Sequence, residues 1–338
     1  MPRHLRYQPT PWATHLVTTR CTQGKPLLRP NPALNSLIAG CLARSLELCR
    51  DDVKLHHHAF MSNHYHLLLS ARCAQARARF MCHLNGNLAR EVCRAQGESD
   101  HVWEGRYASH VLLDDEAVID AYKYIFKNSV KEGLVAHPRE WPGLHGWAQL
   151  CGGQALVGEW VDRAAYYHAQ QSQRGRALGL EPFTRRLPVT LCPAPCLEGL
   201  SAEELVRRLW GLAEEAVEEG AAQALLRMEG PRGARGAARE NSAAAALEPM
   251  GAAAVCAQPV DRPRPRKRGA RPLCRAGCGG LWRAFLDGYR AFREEFQRCS
   301  GRLRAAVARG EALPRVRFPE GGVALFIGAR HLLSPQAP

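Results

Sequence analysis

The chain has 338 residues, long enough for one or two domains with a real apolar core. Its 46 Lys and Arg outnumber 32 Asp and Glu, and the net charge of +14 favours a polyanionic partner, most simply nucleic acid. An Arg- and Ala-rich tail such as this one also accompanies GC-rich genomes, so charge alone does not decide. No secretory signal or long apolar run is visible, and the 13 cysteines are scattered and odd in number. That argues against a membrane or disulfide-built secreted protein and for a cytoplasmic one with reduced thiols.

In chain order, Thr14 to Arg20 alternates and is rich in β-branched residues, which predicts a strand. Leu34, Leu37, Ile38, Cys41, Leu42, Ser45, Leu46 and Cys49 follow helical spacing from Pro32 onward. Lys54 to Phe60 and Asn63 to Ala71 read as two strands joined by a tight turn at Met61-Ser62-Asn63. A helix follows over about 74–95, then a strand over Arg106 to Leu113. A third helix starts at Asp114, an N-cap with Asp115 and Glu116 in its first turn. It runs to Lys131, ahead of the C-terminal Gly133. This order predicts an α+β domain ending near Leu150, with helices on one face of a mainly antiparallel sheet and the other face available.

The chemistry starts at His64-Tyr65-His66. Successive strand side chains point to opposite faces, so the two imidazoles project together, about 7 Å apart along the strand, while Tyr65, Leu67 and Leu69 turn to a core. Such a pair can share a divalent ion. On the third helix Val118, Tyr122, Ile125, Phe126 and Ser129 form a packing stripe, and Tyr124 and Asn128, four apart, share another face. A tyrosine beside a metal can attack a phosphodiester, and an amide oxygen one turn away can complete the ligand shell. The plainer alternative is a half-buried helix tyrosine and a local hydrogen bonder. Tyr122 is the rival nucleophile, about 200° round the helix in the packing stripe. His56, His57 and His58 are read as structural or DNA-proximal rather than as ligands, with His57 opposite its neighbours. Trp103, Arg106 and Tyr107 suit stacking on or clamping single-stranded DNA, although Trp103 and Tyr107 serve equally as core. Lys127 and Lys131 are counted with them as candidate DNA contacts.

Three stretches in order, Met61 to Leu69 (MSNHYHLLL), Val102 to Tyr107 (VWEGRY) and Tyr124 to Val135 (YIFKNSVKEGLV), resemble the single-tyrosine HUH transposases, in particular the REP-associated group. The resemblance covers roughly 14–147. It implies a ferredoxin-like HUH domain that binds single-stranded or hairpin DNA, with His64 and His66 as metal ligands, Tyr124 as nucleophile and Asn128 as third ligand. Mg²⁺ or Mn²⁺ is the implied cofactor, and the implied reaction cleaves and rejoins single-stranded DNA through a 5′-phosphotyrosine. Relatives often carry Pro where Ser62 and Ser129 stand, a departure that bears on turn rigidity more than on chemistry. A homodimer, in which Tyr124 serves either its own site or a partner's, is left open. No membrane and no small-molecule cofactor are expected. The alternative is a domesticated DNA-binding protein of the same fold without catalysis.

Beyond Leu150 the expected parts are a helical extension (151–229), an Ala/Gly/Pro/Arg-rich linker (230–275) and a C-terminal helical segment (276–338). Ser201 and Glu204 form a capping box ahead of a helix to Met228. The linker's run with Arg262, Arg264, Arg266, Lys267 and Arg268 offers sequence-blind phosphate attraction, or is a solvated linker, or both. Trp282, Phe285, Tyr289, Phe292 and Phe296 mark the last amphipathic helix. Cys192/Cys196 and Cys274/Cys278 lack the tighter spacing of a zinc ribbon and are not assigned a metal.

Overall fold

The computed structural model describes residues 5–97, 101–228, 249–259, 272–311, 314 and 316–319. Strand β1 (Thr14–Arg20) leads to helix α1 (Pro32–Leu48), which starts where the Asn31 side chain accepts from the Leu34 amide. Strands β2 (Val53–Phe60) and β3 (His64–Ala71) follow, then α2 (Ala74–Gln96), β4 (Ala108–Leu112) and α3 (Asp115–Phe126). Asp114 caps α3 by accepting from the Ala117 amide at 2.9 Å. Its other oxygen accepts from the Gly277 amide at 2.8 Å, tying a C-terminal segment to this helix.

The third helix is shorter than expected. At Lys127 the backbone tightens (ψ −4°), and residues 128–131 form a separate turn, α4 (Asn128–Lys131). Short helices α5 (Trp147–Leu150), α6 (Arg163–Ala169) and α7 (Gln173–Arg176) come next. Strand β5 (Val157–Val161) precedes the last two and pairs antiparallel with β6 (Thr184–Pro188). Then come α8 (Ala202–Met228), α9 (Ala252–Cys256), β7 (Cys274–Arg275) and α10 (Gly279–Ala308). The Ser201–Glu204 capping box forms: the Ser201 amide donates to Glu204 Oε2 at 2.9 Å and the Glu204 amide to Ser201 Oγ at 3.3 Å. No helix among the described residues is long and apolar enough to cross a membrane.

The main sheet has the order β2-β3-β1-β4-β7, antiparallel except for the β4–β7 pair. Helices cover both of its faces, which corrects the expectation of helices on one. Val17, Leu55, Tyr65, Leu67 and Leu69 pack on α1 and α2, as strand alternation requires. On the other face Leu16, Leu68 and Leu112 meet Val118, Tyr122, Ile125 and Phe126 of α3, and Leu209, Leu212 and Ala216 of α8 close over them. The sequence between Gly152 and Ser201 includes a strand pair, β5–β6, seated on α1. Gly40 and Gly158 make that approach possible, since a Cβ on Gly158 would fall 2.2 Å from the Gly40 nitrogen. A third cluster joins Phe285, Tyr289 and Phe292 of α10 to Val111 and Tyr7.

Candidate functional site

His64 and His66 stand on the α3 side of β3 with ring centroids 4.8 Å apart. Each is oriented through its Nδ1. Asn63 Oδ1 only accepts, so the 2.7 Å contact fixes a proton on His64 Nδ1 and leaves the Nε2 lone pair facing Asn128 Nδ2 at 3.0 Å. His66 Nδ1 pairs with Thr18 Oγ1 at 2.8 Å, across the β1–β3 register that sets Thr18 opposite His66. The His66 Nε2 is buried and has no hydrogen-bond partner among the described residues. Burial, then Lys131 and Arg20, hold His64 down to about 3. Burial, then His64, Lys131, Arg275 and His110, hold His66 well below its ordinary value. Both imidazoles are therefore neutral near pH 7, the form that ligates metals.

Tyr124 closes the group. Its ring lies edge-on to His66 at 5.1 Å between centroids, and Lys131 Nζ sits 3.8 Å from the ring centroid. Arg275 of β7 approaches the same ring at 5.3 Å. His64, His66, Tyr124 and Lys131 line a cavity of about 750 Å³ that also takes in Asn128, Arg106 and Tyr107. Five cations (Arg6, Arg20, Arg77, Arg106, Lys131) and two carboxylates (Glu104, Glu132) line it, so its field favours an anion.

The donor set bears on a metal. Among the described residues no group of three or more His, Cys, Asp or Glu is placed for one. Asn128 is the amide that could join the two imidazoles. Half a turn of its carboxamide exchanges Nδ2 for Oδ1 beside His64 Nε2, and the partnerless His66 Nε2 is a second lone pair in the same cavity. Two neutral imidazoles and an amide oxygen, each imidazole braced from behind by Thr18 or Asn63, fit a divalent ion.

The structure brings together His64, His66, Tyr124, Asn128, Lys131, Arg106 and Tyr107. Trp103 is elsewhere: it donates its Nε1–H to the Asn85 carbonyl at 2.9 Å and packs edge-on to Tyr65, outside the cavity. Lys127 turns to α8, where Glu219 Oε2 accepts from it at 2.6 Å. Neither stands in the cavity wall: Trp103 is packed against the core and Lys127 is paired with a carboxylate. Arg262, Arg264, Arg266, Lys267 and Arg268 lie outside the described residues. Tyr122 is fully buried against His57 and Phe126, which removes it as a nucleophile from this cavity.

The three consecutive histidines are buried and structural. His56 donates to the Cys192 carbonyl at 2.9 Å and pairs with Ser70 Oγ at 2.8 Å, and His58 pairs with Gln149 Oε1 at 2.9 Å. The β2–β3 register shifts between Leu55 and His57, so the strict alternation expected for this run breaks at His56. Burial pushes His56 and His58 down to about 4. Thr18, Arg20 and Arg275 were not anticipated. The first two are polar at alternate positions of β1, a visible signal, but only strand pairing puts them beside His66 and His64.

No protein-family model matches the chain, and no curated protein matches it. Among solved structures it is similar to a REP-associated tyrosine transposase bound to a REP hairpin, at 17% identity and a TM-score of 0.36. That likeness covers 45% of this chain and 86% of the other. It is also similar to a protein of Deinococcus radiodurans provisionally assigned as a transposase, at 16% identity and a TM-score of 0.27, covering 37% and 95%.

Proposed function

We propose that this protein cleaves and rejoins single-stranded DNA, with Tyr124 as the nucleophile, as a transposase of the single-tyrosine HUH kind. The observation that carries the reading is one cavity holding a phenol, two neutral inward-facing imidazoles and a surplus of cations. The Tyr124 oxygen attacks phosphorus in line and the bond to the 3′ oxygen breaks, giving a 5′-phosphotyrosine and a 3′-hydroxyl. The phenolic proton passes to solvent, and the departing oxygen takes one back. Lys131, against the Tyr124 ring, and Arg20, on the neighbouring strand, place positive charge where the phosphoryl oxygens gain negative charge. His64, His66 and Asn128 would hold a divalent ion, Mn²⁺ or Mg²⁺, which when bound polarises a phosphate oxygen. The phosphotyrosine retains the phosphodiester's energy, so a second 3′-hydroxyl can reverse the attack without ATP.

The test uses hairpin-bearing single-stranded oligonucleotides from the DNA flanking the gene, with Mg²⁺ or Mn²⁺. Wild type is expected to form a covalent protein–DNA adduct, and Tyr124→Phe to bind without forming one. Binding by both without an adduct from either would refute the catalytic reading in favour of a DNA-binding protein of this fold. Absence of binding would overturn both.

A further inference from the structure

The cavity does not stop at Tyr124. Among the described residues β7 pairs with Val111 and Leu112, and Ala108, Ser109 and His110 of β4 stand in the cavity wall. Past this stretch, on the α2 side of the sheet, lies Arg77, 1% exposed. Its Nη1 donates to Gln8 Oε1 at 2.9 Å and to His15, while its Nε has no partner among the described residues. Both acceptors are neutral, since burial and then Arg77 itself hold the His15 imidazole well below its ordinary value. Beside it Arg6 donates to the Tyr107 carbonyl at 3.0 Å, with its Cζ 3.2 Å from the Tyr107 ring centroid.

No Asp or Glu forms an ion pair with either guanidinium among the described residues: the favourable influences are the Tyr107 phenol, on both, and the Cys73 thiol, on Arg77, while Arg106 and Arg77 repel Arg6. A guanidinium keeps its charge in any protein environment, so this corner buries positive charge that neutral acceptors do not cancel. Structural arginines buried for the fold alone are normally matched by an acid. Here the missing partner is an anion, and the open side of the pair is the cavity that holds Tyr124. Guanidinium forks match phosphate geometry, and the Tyr107 ring next to Arg6 offers a flat apolar wall.

We propose that Arg6 and Arg77 form a second phosphate subsite, which grips a backbone phosphodiester of the same DNA strand whose scissile phosphate lies at Tyr124. The proposal rests on the strand-cleavage reading and deepens it. The strand would pass over the Ala108–His110 stretch of β4, from the His64–His66 face to the Arg77 face. Its role is positioning: it fixes which phosphate reaches Tyr124.

The experiment is a binding scan with the full chain. Single-stranded oligonucleotides from the flanking DNA carry one neutral methylphosphonate at each backbone position in turn. They are titrated against wild type, Arg6→Gln and Arg77→Gln, with thermal unfolding as the control for folding. One position away from the cleavage site is expected to lose about tenfold in wild type when neutralised and little in Arg6→Gln, which itself starts about tenfold weaker. Arg6 is only partly buried, so this variant remains decisive if Arg77→Gln fails to fold. If the oligonucleotides bind and form the Tyr124 adduct, yet no position is coupled to Arg6, the subsite is overturned and the cleavage reading stands. Stabilisation of wild type by inorganic phosphate, lost in Arg6→Gln but without any coupled position, would mean a free-anion site and also overturns it. No binding to any oligonucleotide would sink the cleavage reading itself.

Discussion

Replacing Thr18 by valine removes one atom's hydrogen-bonding from the site and almost nothing else. Valine keeps the β-branched shape that suits β1, so the strand and its neighbours Val17 and Thr19 stay packed. What is lost is the 2.8 Å contact from Thr18 Oγ1 to His66 Nδ1. His66 is 3% exposed, so no bulk water takes the place of that hydroxyl. An Nδ1–H left there without a partner costs about 1–3 kcal/mol. Without the hydroxyl nothing holds the proton on Nδ1, either nitrogen can carry it, and the Nε2 lone pair for a metal is no longer secured. Loss of such a bracing contact typically lowers metal affinity 10–100-fold, about 1.4–2.7 kcal/mol.

Mn²⁺ binding by calorimetry, and the Mn²⁺ concentration that gives half-maximal adduct formation, are therefore expected to shift by one to two decades in Thr18→Val. Thr18→Ser, which restores the hydroxyl, should recover most of it. Thr19→Val is the control, because its side chain faces Tyr65 on the opposite side of the sheet. An Mn²⁺ affinity in Thr18→Val within twofold of wild type, with the fold intact, would refute the claim that Thr18 sets the His66 tautomer.

Tyr122→Phe should leave adduct formation and stability nearly unchanged, since the lost hydroxyl is buried without a hydrogen-bond partner among the described residues; mass spectrometry of the adduct and a urea melt check both halves. Gly158→Ala should destabilise by at least about 1–3 kcal/mol, seen as a lower urea midpoint, because the new methyl meets the α1 backbone rather than a side chain that can turn away. Glu219→Gln removes the carboxylate that Lys127 and Lys123 hold below its ordinary value. A depressed folded-state value stabilises above the unfolded pKa and is lost as pH falls through the folded one. The variant should therefore melt lower at pH 7, by no more than about 1 kcal/mol for so exposed a pair, and the gap should close below about pH 4.

The elements legible in the sequence are those whose signal is local. Alternation alone put His64 and His66 on one side of β3 and Tyr65, Leu67 and Leu69 on the other, and the two cores divide the strand that way. Helical phase separated Tyr124 from Tyr122, and burial bears it out. Pairing between distant segments is another matter. Nothing in Thr14–Arg20 says that Thr18 faces His66, because register is set by the whole sheet. The bulge at His56 adds one residue to an otherwise regular strand, and β7 is two residues long beside a run of charge, with no alternation to detect. Helices on both faces were missed for the same reason: α3 and α8 share an apolar interface that neither declares alone.

Charge gives the sharper lesson. Composition reported a surplus of +14 but not its location, and the basic residues of the third helix part company within nine positions. Lys123 and Lys127 face α8, where Glu215 and Glu219 take them up at 2.6–2.9 Å. Lys131, one turn on, lies across the sheet end and meets Tyr124 instead. The difference is phase. Residues four apart advance about 40° round a helix, and α3 gives way to the separate turn α4 between Lys127 and Lys131. Five cations against two carboxylates give the cavity wall a local surplus of +3, one part of the chain's +14.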